Sequence, residues 1–308
     1  MIQLSDFYKM IFGSKVYKIA LNAGCTCPNR DGTKGKGGCI FCSGNGSGDF
    51  IEDAVSIRTQ FEEGVKLVKK KARGRSGQNK VLYLPYFQSF TSTYGNFKVL
   101  KEKYLESLEN ENVCGLAVAT RPDCLSEDFI DLFRSLSEKY FIQLELGLQT
   151  CSEKTGKLIN RCYTNEDYKN AVRLIQKKIP RAHVVTHVIF GLPGETERDM
   201  LNTVDFAVEN FEADLQTDGR KSYFGIKITN LYVVKNTVLE KMYADGKFRC
   251  LSKDEYFELL EKALKKLPEN AVIHRITGDP PKKIAVAPEW ALNKRAVFNE
   301  AKMRFNLK

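Results

Sequence analysis

Residues 15–42 read KVYKIALNAG followed without a break by CTCPNRDGTKGKGGCIFC. The first ten residues are an apolar run of β type that ends in glycine. The next eighteen hold four of the chain's nine cysteines. A thiol cluster that begins where a strand stops takes its meaning from the sheet to which that strand belongs. Five further runs of the same kind follow: KVLYLPYFQSF (80–90), VCGLAVATRP (113–122), FIQLELGLQ (141–149), HVVTHVIFGLP (183–193) and YFGIKITNLYVV (223–234). Between them lie segments of helical period. Ile57, Phe61, Val65 and Val68 share one face of a helix over 53–72. Leu125, Phe129, Leu132, Phe133 and Leu136 do the same over 125–138. Further helices are expected near 97–108, 165–178, 195–211 and 253–266.

Strands alternating with helices imply a parallel sheet with helical crossovers. The runs read as apolar with little alternation, as strands covered on both faces do. The expected fold is α/β, a partial (β/α)6 TIM-like barrel over residues 1–234. A short C-terminal extension, 235–308, would pack on it. A doubly wound open sheet is the competing architecture, but neither G-x-G-x-x-G nor G-x-x-x-x-G-K-[ST] stands where that fold would need it. In such barrels chemistry sits at the C-terminal ends of the strands. There the sequence places the cysteine segment, Gln88 and Ser89, Thr120 and Arg121, Gln149 and Thr150, and the run Gly191 to Glu195.

Composition is that of an ordinary soluble globular chain. The chain has 308 residues, 43% hydrophobic and 28% charged, enough for a large core without disulfide staples. The N-terminus lacks the apolar stretch of a secretory signal, and no run approaches membrane-spanning length. A cytoplasmic, reducing setting is expected, where clustered cysteines more often mean metal or catalysis than disulfides. Net charge is +10. Residues 66–80 hold seven basic and no acidic residues, and residues 273–308 hold eight basic and three acidic. These two zones exceed the net charge, so the remaining chain is close to neutral. Such zones are compatible with nucleic-acid contact and equally with solvated surface. The first connects a helix to a strand and so belongs to the barrel face away from the chemistry. The second, with Lys282, Lys283, Lys294, Arg295, Lys302 and Arg304, could fold beside the mouth. Tyr232, Trp290 and Phe298 could stack on a base there, although the core is the default place for such rings.

The thiols admit three readings. Nine is odd, so complete disulfide pairing is impossible. Cys39 and Cys42 form one C-x-x-C, and with Cys25 and Cys27 they could make a four-cysteine zinc site. Alternatively Cys27, Cys39 and Cys42 hold a four-iron cluster and leave Cys25 spare. Three thiolates on a cubane leave one iron open to the amino and carboxylate groups of S-adenosylmethionine, and one-electron reduction then yields a 5′-deoxyadenosyl radical. Cys114, Cys124, Cys151, Cys162 and Cys250 have no C-x-x-C spacing among them and read as small buried hydrophobes. His183 and His187 share a strand face. His187 is expected to point into the barrel and His183 to be a satisfied core histidine.

The segments AGCTCPNRDGTKGKGGCIFC, YLPYFQSFTSTY, ATRPDCL, ELGLQT, FGLPGET, GIKITNLYVVKNT, VIHRITGD and APEWALNKRAVFNE together resemble the radical S-adenosylmethionine superfamily. Within it the chain is similar to the branch of the Elongator catalytic subunit and the oxygen-independent coproporphyrinogen oxidases. It is most like a bacterial group of about this length. The usual spacing places three residues between the first two cysteines; here there are eleven, as in this branch. The resemblance implies a [4Fe–4S] cluster on Cys27, Cys39 and Cys42, and S-adenosylmethionine as cofactor. It implies Gln88 near the methionine amino group, and Glu145, Gln149 and Arg161 at the ribose hydroxyls or methionine carboxylate. Gly191, Leu192 and Pro193 would form the turn against adenine. It also implies a one-electron donor such as flavodoxin or ferredoxin. The glycine-rich SGNGSGDF (43–50) would approach the cofactor or simply turn. Kinship with Elongator and the basic charge make a transfer RNA nucleoside the expected substrate. A small molecule such as a tetrapyrrole is the enzyme alternative. A zinc-stabilised nucleic-acid-binding protein and an iron–sulfur electron carrier are the alternatives from other classes.

Overall fold

The computed structural model describes residues 1–44, 46, 56–72, 81–211 and 222–305. Its frame is an eight-stranded sheet. The six strands expected from sequence are all present: β2 (Lys15–Leu21), β3 (Val81–Phe87), β4 (Gly115–Thr120), β5 (Phe141–Gln149), β6 (His183–Phe190) and β7 (Phe224–Asn230). Two short strands extend the sheet. They are β1 (Ile2–Gln3) and β9 (Ala271–Arg275), so residues beyond 234 contribute to the main sheet. The order is β1-β9-β7-β6-β5-β4-β3-β2, with every neighbouring pair parallel. A separate antiparallel pair joins β8 (Val233–Val234) to β10 (Ala285–Ala287). The sheet curls into a partial barrel, open between β1 and β2.

Helices cover the outer face. They are α2 (Ile57–Ala72), α3 (Phe97–Leu108), α4 (Glu127–Ser137), α6 (Asn165–Lys178), α7 (Glu197–Glu209) and α9 (Lys253–Lys265). Ile57 and Phe61 are buried against the sheet with Val65 and Val68 beside them, as their spacing predicts. Thr164, Thr196 and Ser252 start α6, α7 and α9 with reciprocal capping boxes, each satisfying two otherwise orphaned N–H groups. The main core lies between these helices and the outward side chains of the strands, such as Ile142, Leu144, Leu146 and Leu148 of β5.

The inner face differs from the expectation of uniformly apolar strands. Successive strand residues point to opposite faces, and inside the barrel the alternate set is small or polar. In β5 this set is Gln143, Glu145 and Gly147, and in β6 it includes His183 and His187. An apolar layer closes only the end where the strands begin. There α1 (Leu4–Phe12), unassigned from sequence, packs on β1, β2 and β9, across the open side of the sheet. Its Phe7 and Tyr8 bury themselves among Leu84, Tyr86, Ala117, Ala119 and Val272. The Phe7 ring lies 4.6 Å from that of His183 and 5.3 Å from that of Tyr223. His183 is satisfied as expected: its Nε2 meets His274 Nε2 at 2.7 Å with the rings stacked.

The remaining short helices are α5 (Glu153–Leu158), α8 (Val238–Ala244) and α10 (Lys294–Arg304). Trp290 is half-buried against the main core. Its indole N–H donates to Leu251 O and its ring lies 5.6 Å from Tyr256. Phe298 on α10 is 49% exposed, and Tyr232 lines a cavity. Residues 73–80 of the first basic zone lie outside the described residues.

Because Phe7 seals one end of the barrel, truncating it leaves a void. Phe7→Ala is expected to lower the free energy of unfolding by about 3–5 kcal/mol, read as a lower urea midpoint with an unchanged slope.

Candidate active site

Above the apolar plug the barrel holds a charge cluster centred on Glu145, which is fully buried. Its Oε1 accepts from Lys18 Nζ at 2.7 Å and from Gln143 Nε2 at 2.6 Å. Its Oε2 accepts from Tyr86 Oη at 2.6 Å and from Lys227 Nζ, and it lies 2.8 Å from His187 Nε2. Burial works to raise the Glu145 carboxyl, but the Lys18 and Lys227 ammonium groups and His187 hold it well below the ordinary carboxylate range. Lys227 is lowered to about 7, by burial first and then by Lys18 and Arg275, with Glu145 opposing. Burial and Lys227 lower His187 to about 4. The cluster joins side chains of β2, β3, β5, β6 and β7. Sequence reasoning assigns Lys18 and Lys227 no role. The signal available is a lone charge in the middle of each of three apolar strands, within KVYKIAL, FIQLELGLQ and FGIKITN.

At the strand C-termini the cysteine segment folds over the rim. Arg30 N–H donates to Cys27 O at 2.8 Å, Lys34 N–H to Pro28 O at 2.8 Å, and Cys42 N–H to Cys39 O at 3.0 Å. Gly37 and Gly38 take φ values of 79° and 78°, a region open to glycine. The loop is stitched to the barrel. Asn160 Nδ2 donates to Gly38 O at 2.8 Å, Ile40 N–H donates to Ile159 O, and Leu239 N–H donates to Ile40 O. Asn29 is fully buried, and its Nδ2 faces Cys39 Sγ at 3.7 Å. A side chain at Gly35 would come within 2.2 Å of Asn29 Oδ1.

Cys27, Cys39 and Cys42 line one cavity of about 160 Å³. Cys25 does not; it packs on the main core. Burial pushes the Cys39 thiol up to about 12, and the neighbouring Cys42 and Cys27 add to the rise. A thiol buried as Cys39 is stays protonated unless a metal group takes up its charge. Among the described residues no three His, Cys, Asp or Glu side chains converge on a single ion position. With Cys25 on the core, the donor set is three thiols, one short of a four-cysteine zinc site and the number a cubane with one open iron takes. Cys114, Cys124, Cys151, Cys162 and Cys250 do not line this cavity.

The other expected site residues divide into two groups. Gln88, Glu145 and Gln149 line the cavity with the three thiols, and His187 points into it as expected. Gln149 holds φ +67°, where β5 slips register against β6. Its amide folds back over Gly147, where a side chain would lie 2.5 Å from Gln149 Nε2. Arg161 is fully buried outside the cavity. It donates to Leu148 O, Thr150 O, Tyr163 O, Asn165 Oδ1 and Glu153 Oε2. Gly191, Leu192 and Pro193 form the turn after β6, with φ +91° at Gly191. Leu192 packs with Ile40, Ile159 and Leu231 rather than on the cavity. Arg121, placed at the rim by the sequence, lines the cavity, and so does Tyr163, which the sequence does not single out. Arg121 is clamped by Asp123 through two hydrogen bonds of 2.9 Å and donates to Arg161 O, and Tyr163 lies against both arginines. Only residues 43, 44 and 46 of the 43–50 segment are described, and Gly46 lines the cavity.

A family model described as the Radical SAM superfamily matches residues 26–207. The chain belongs to the radical SAM superfamily. A second model, the Radical_SAM C-terminal domain, matches residues 224–306 of this radical SAM enzyme. It is 41% identical to the uncharacterized protein YtqA of Bacillus subtilis, over 93% of this chain and 84% of that one. Its fold is similar to that of Elp3 from the archaeon Methanocaldococcus infernus. The TM-score is 0.63 at 18% identity, covering 96% of this chain and 64% of the longer one. A shorter stretch, 28% of this chain and 18% of its match, is 43% identical to the tRNA-2-methylthio-N(6)-dimethylallyladenosine synthase of Acetivibrio thermocellus. Radical SAM enzymes use a [4Fe–4S] cluster and S-adenosylmethionine, and they require an electron donor. No helix among the described residues is long and apolar enough to cross a membrane.

The turn after β6 carries a titrating tie. Burial pushes the Glu195 carboxyl from its ordinary 4.5 up to about 7, against hydrogen bonds from Thr150 and Thr155. A carboxyl raised on folding stabilises the fold below its ordinary range, and that contribution is lost as pH rises towards 7. Glu195→Gln is therefore expected to shrink the stability difference between pH 5 and pH 8, measured by urea unfolding at both.

Proposed function

We propose that this radical SAM enzyme modifies a nucleoside in transfer RNA at the thiol-lined cavity described above. The observation that carries the enzymatic part is the meeting of Cys27, Cys39 and Cys42 with Gln88, Gln149 and His187 in one cavity at the strand C-termini. In this reading the three thiolates hold the cluster, which when bound supplies the electron that cleaves S-adenosylmethionine to a 5′-deoxyadenosyl radical. The chain's own part is to bind, aim and shield. Gln88 and Gln149 offer amide donors and acceptors to the cofactor. Phe41 and Phe90 give the wall apolar surface that excludes water. Arg161 acts as a positioning residue: by tying Leu148 O and Thr150 O it fixes the bend that turns Gln149 inward. Gly191, Leu192 and Pro193 brace that rim from outside the cavity. Asn29 steadies Cys39 from behind. A flavodoxin or ferredoxin is the proposed electron donor, and the cytoplasm the proposed setting.

Two things support the RNA substrate: the partial match to a tRNA-modifying synthase, and the net charge of +10 with its C-terminal basic zone. Lys294, at the start of α10, pairs with Asp279, which lines an adjoining cavity with Tyr232, Gln88 and Gln149, so this zone reaches the mouth. A small-molecule substrate is the second reading, favoured by the modest volume of the cavity. The first test is on anaerobic, cluster-reconstituted protein with dithionite and S-adenosylmethionine. Wild type is expected to release 5′-deoxyadenosine, detected by mass spectrometry, and Cys39→Ala to release none. Absence of product from wild type carrying a full cluster would overturn the enzymatic reading. For the substrate, Lys294→Glu/Arg295→Glu is expected to weaken transfer RNA binding about tenfold or more and to flatten its salt dependence. 5′-Deoxyadenosine formation without RNA should persist. Unchanged binding would remove this surface from the proposal.

A further inference from the structure

The thiol-lined cavity opens into a second one of about 300 Å³, and Phe41, Tyr86, Gln88, Gln149 and His187 line both. The two are halves of one chamber. The half away from the thiols is walled by β6, β7, β9 and the turn that follows β9, and its charge is unbalanced. Lys227 of β7 and Arg275 of β9 both face it, and the strand register sets them side by side after a slip between Ile226 and Lys227. Like charges on adjacent strand positions repel and destabilise a sheet. Lys227 is answered from below by Glu145. The Arg275 side chain makes no ion pair or hydrogen bond with another described residue; it is exposed and lines the chamber. Asp279 is the sole acid among the described lining residues of this half, and it is engaged by Lys294. The neutral groups near the two cations are occupied as well. Thr229 Oγ1 donates to Val188 O, and Asn230 bonds Gly278 N–H and Leu231 O.

We propose that this half of the chamber binds an oxyanionic group of the substrate, phosphate or carboxylate, on the Arg275 guanidinium with the Lys227 ammonium behind it. The planar fork of an arginine suits either group through two parallel hydrogen bonds. An incoming anion would also relieve the repulsion between Lys227 and Arg275. The assignment rests on reading the chamber as the active site of a radical SAM enzyme. It gives the substrate a charge: a nucleotide phosphate if the substrate is RNA, a carboxylate if it is a small organic acid.

The test is calorimetric binding to anaerobic holoenzyme, with no turnover required. Uridine 5′-monophosphate serves as the phosphate probe, succinate as the carboxylate probe, and uridine as the neutral control. One of the two anions is expected to bind wild type, uridine to bind at least about tenfold more weakly than a bound monophosphate, and Arg275→Gln to lose about tenfold or more for the anion. The anion that binds identifies the source. S-adenosylmethionine affinity should be unchanged in Arg275→Gln. If neither anion binds wild type, or Arg275→Gln binds the anion as well as wild type, the proposal fails. It fails also if that variant loses S-adenosylmethionine, because the cation then serves the cofactor. Anion binding to a wild type that never forms 5′-deoxyadenosine would sink the enzymatic reading while leaving the oxyanion site in place.

Discussion

A fully buried carboxylate must be matched inside the protein or it cannot stay ionised. Glu145 is that group here, and the partial barrel is organised around matching it. Lys18 reaches it from β2, Tyr86 from β3, His187 from β6 and Lys227 from β7. Slipping any of these strands by one residue would turn its partner to the helical face. The cluster therefore fixes relative register from the inside, while Leu144, Leu146 and their neighbours do so from the outside. It also sets the level at which apolar filling stops. Below lie Phe7, Tyr8 and Phe141; above lies the chamber.

The outer half of this design is legible in the sequence, and the inner half less so. Helical period places α2, α3, α4, α6, α7 and α9 to within a few residues, because their apolar stripes face a continuous core. The six main strands are equally plain. Yet FIQLELGLQ reads at first as uniformly apolar, although Gln143, Glu145, Gly147 and Gln149 recur at every second position. That is the period of a strand with one polar face, and here the polar face is inside. The strand β9 escapes notice because AVIHR is only five residues long. Its neighbours, β7 and β1, are reached through contacts that no local pattern encodes.

The site shows the same division. The three thiols, Gln88 and Gln149 meet in one cavity because each follows or ends a strand at the same rim, which chain order alone reveals, and His187 joins them from within β6. Arg161, Gly191, Leu192 and Pro193 belong to turns, and a turn can face the cavity or brace it from behind. Arg161 braces it: its donors go to carbonyls and side chains of the 148–165 segment. Whether a polar turn residue meets ligand or protein depends on the curvature of the chain around it. The backbone at Gln149, Asn160 and Cys162 is left-handed, a feature that side-chain identity does not disclose.

The pairing of β1 with β9 joins Ile2 to Val272 and Gln3 to Ile273. Lys227 also arrives late in the chain. A ribosome that has made the first two hundred residues has therefore produced Glu145 without the Lys227 ammonium to oppose its charge, and α1 with no β9 to rest on. The inner face of the nascent sheet must stay wet until the last third of the chain emerges. Contacts this distant in sequence are slow to close. The chamber, walled in part by β7 and β9, is therefore completed only by the last third of the chain.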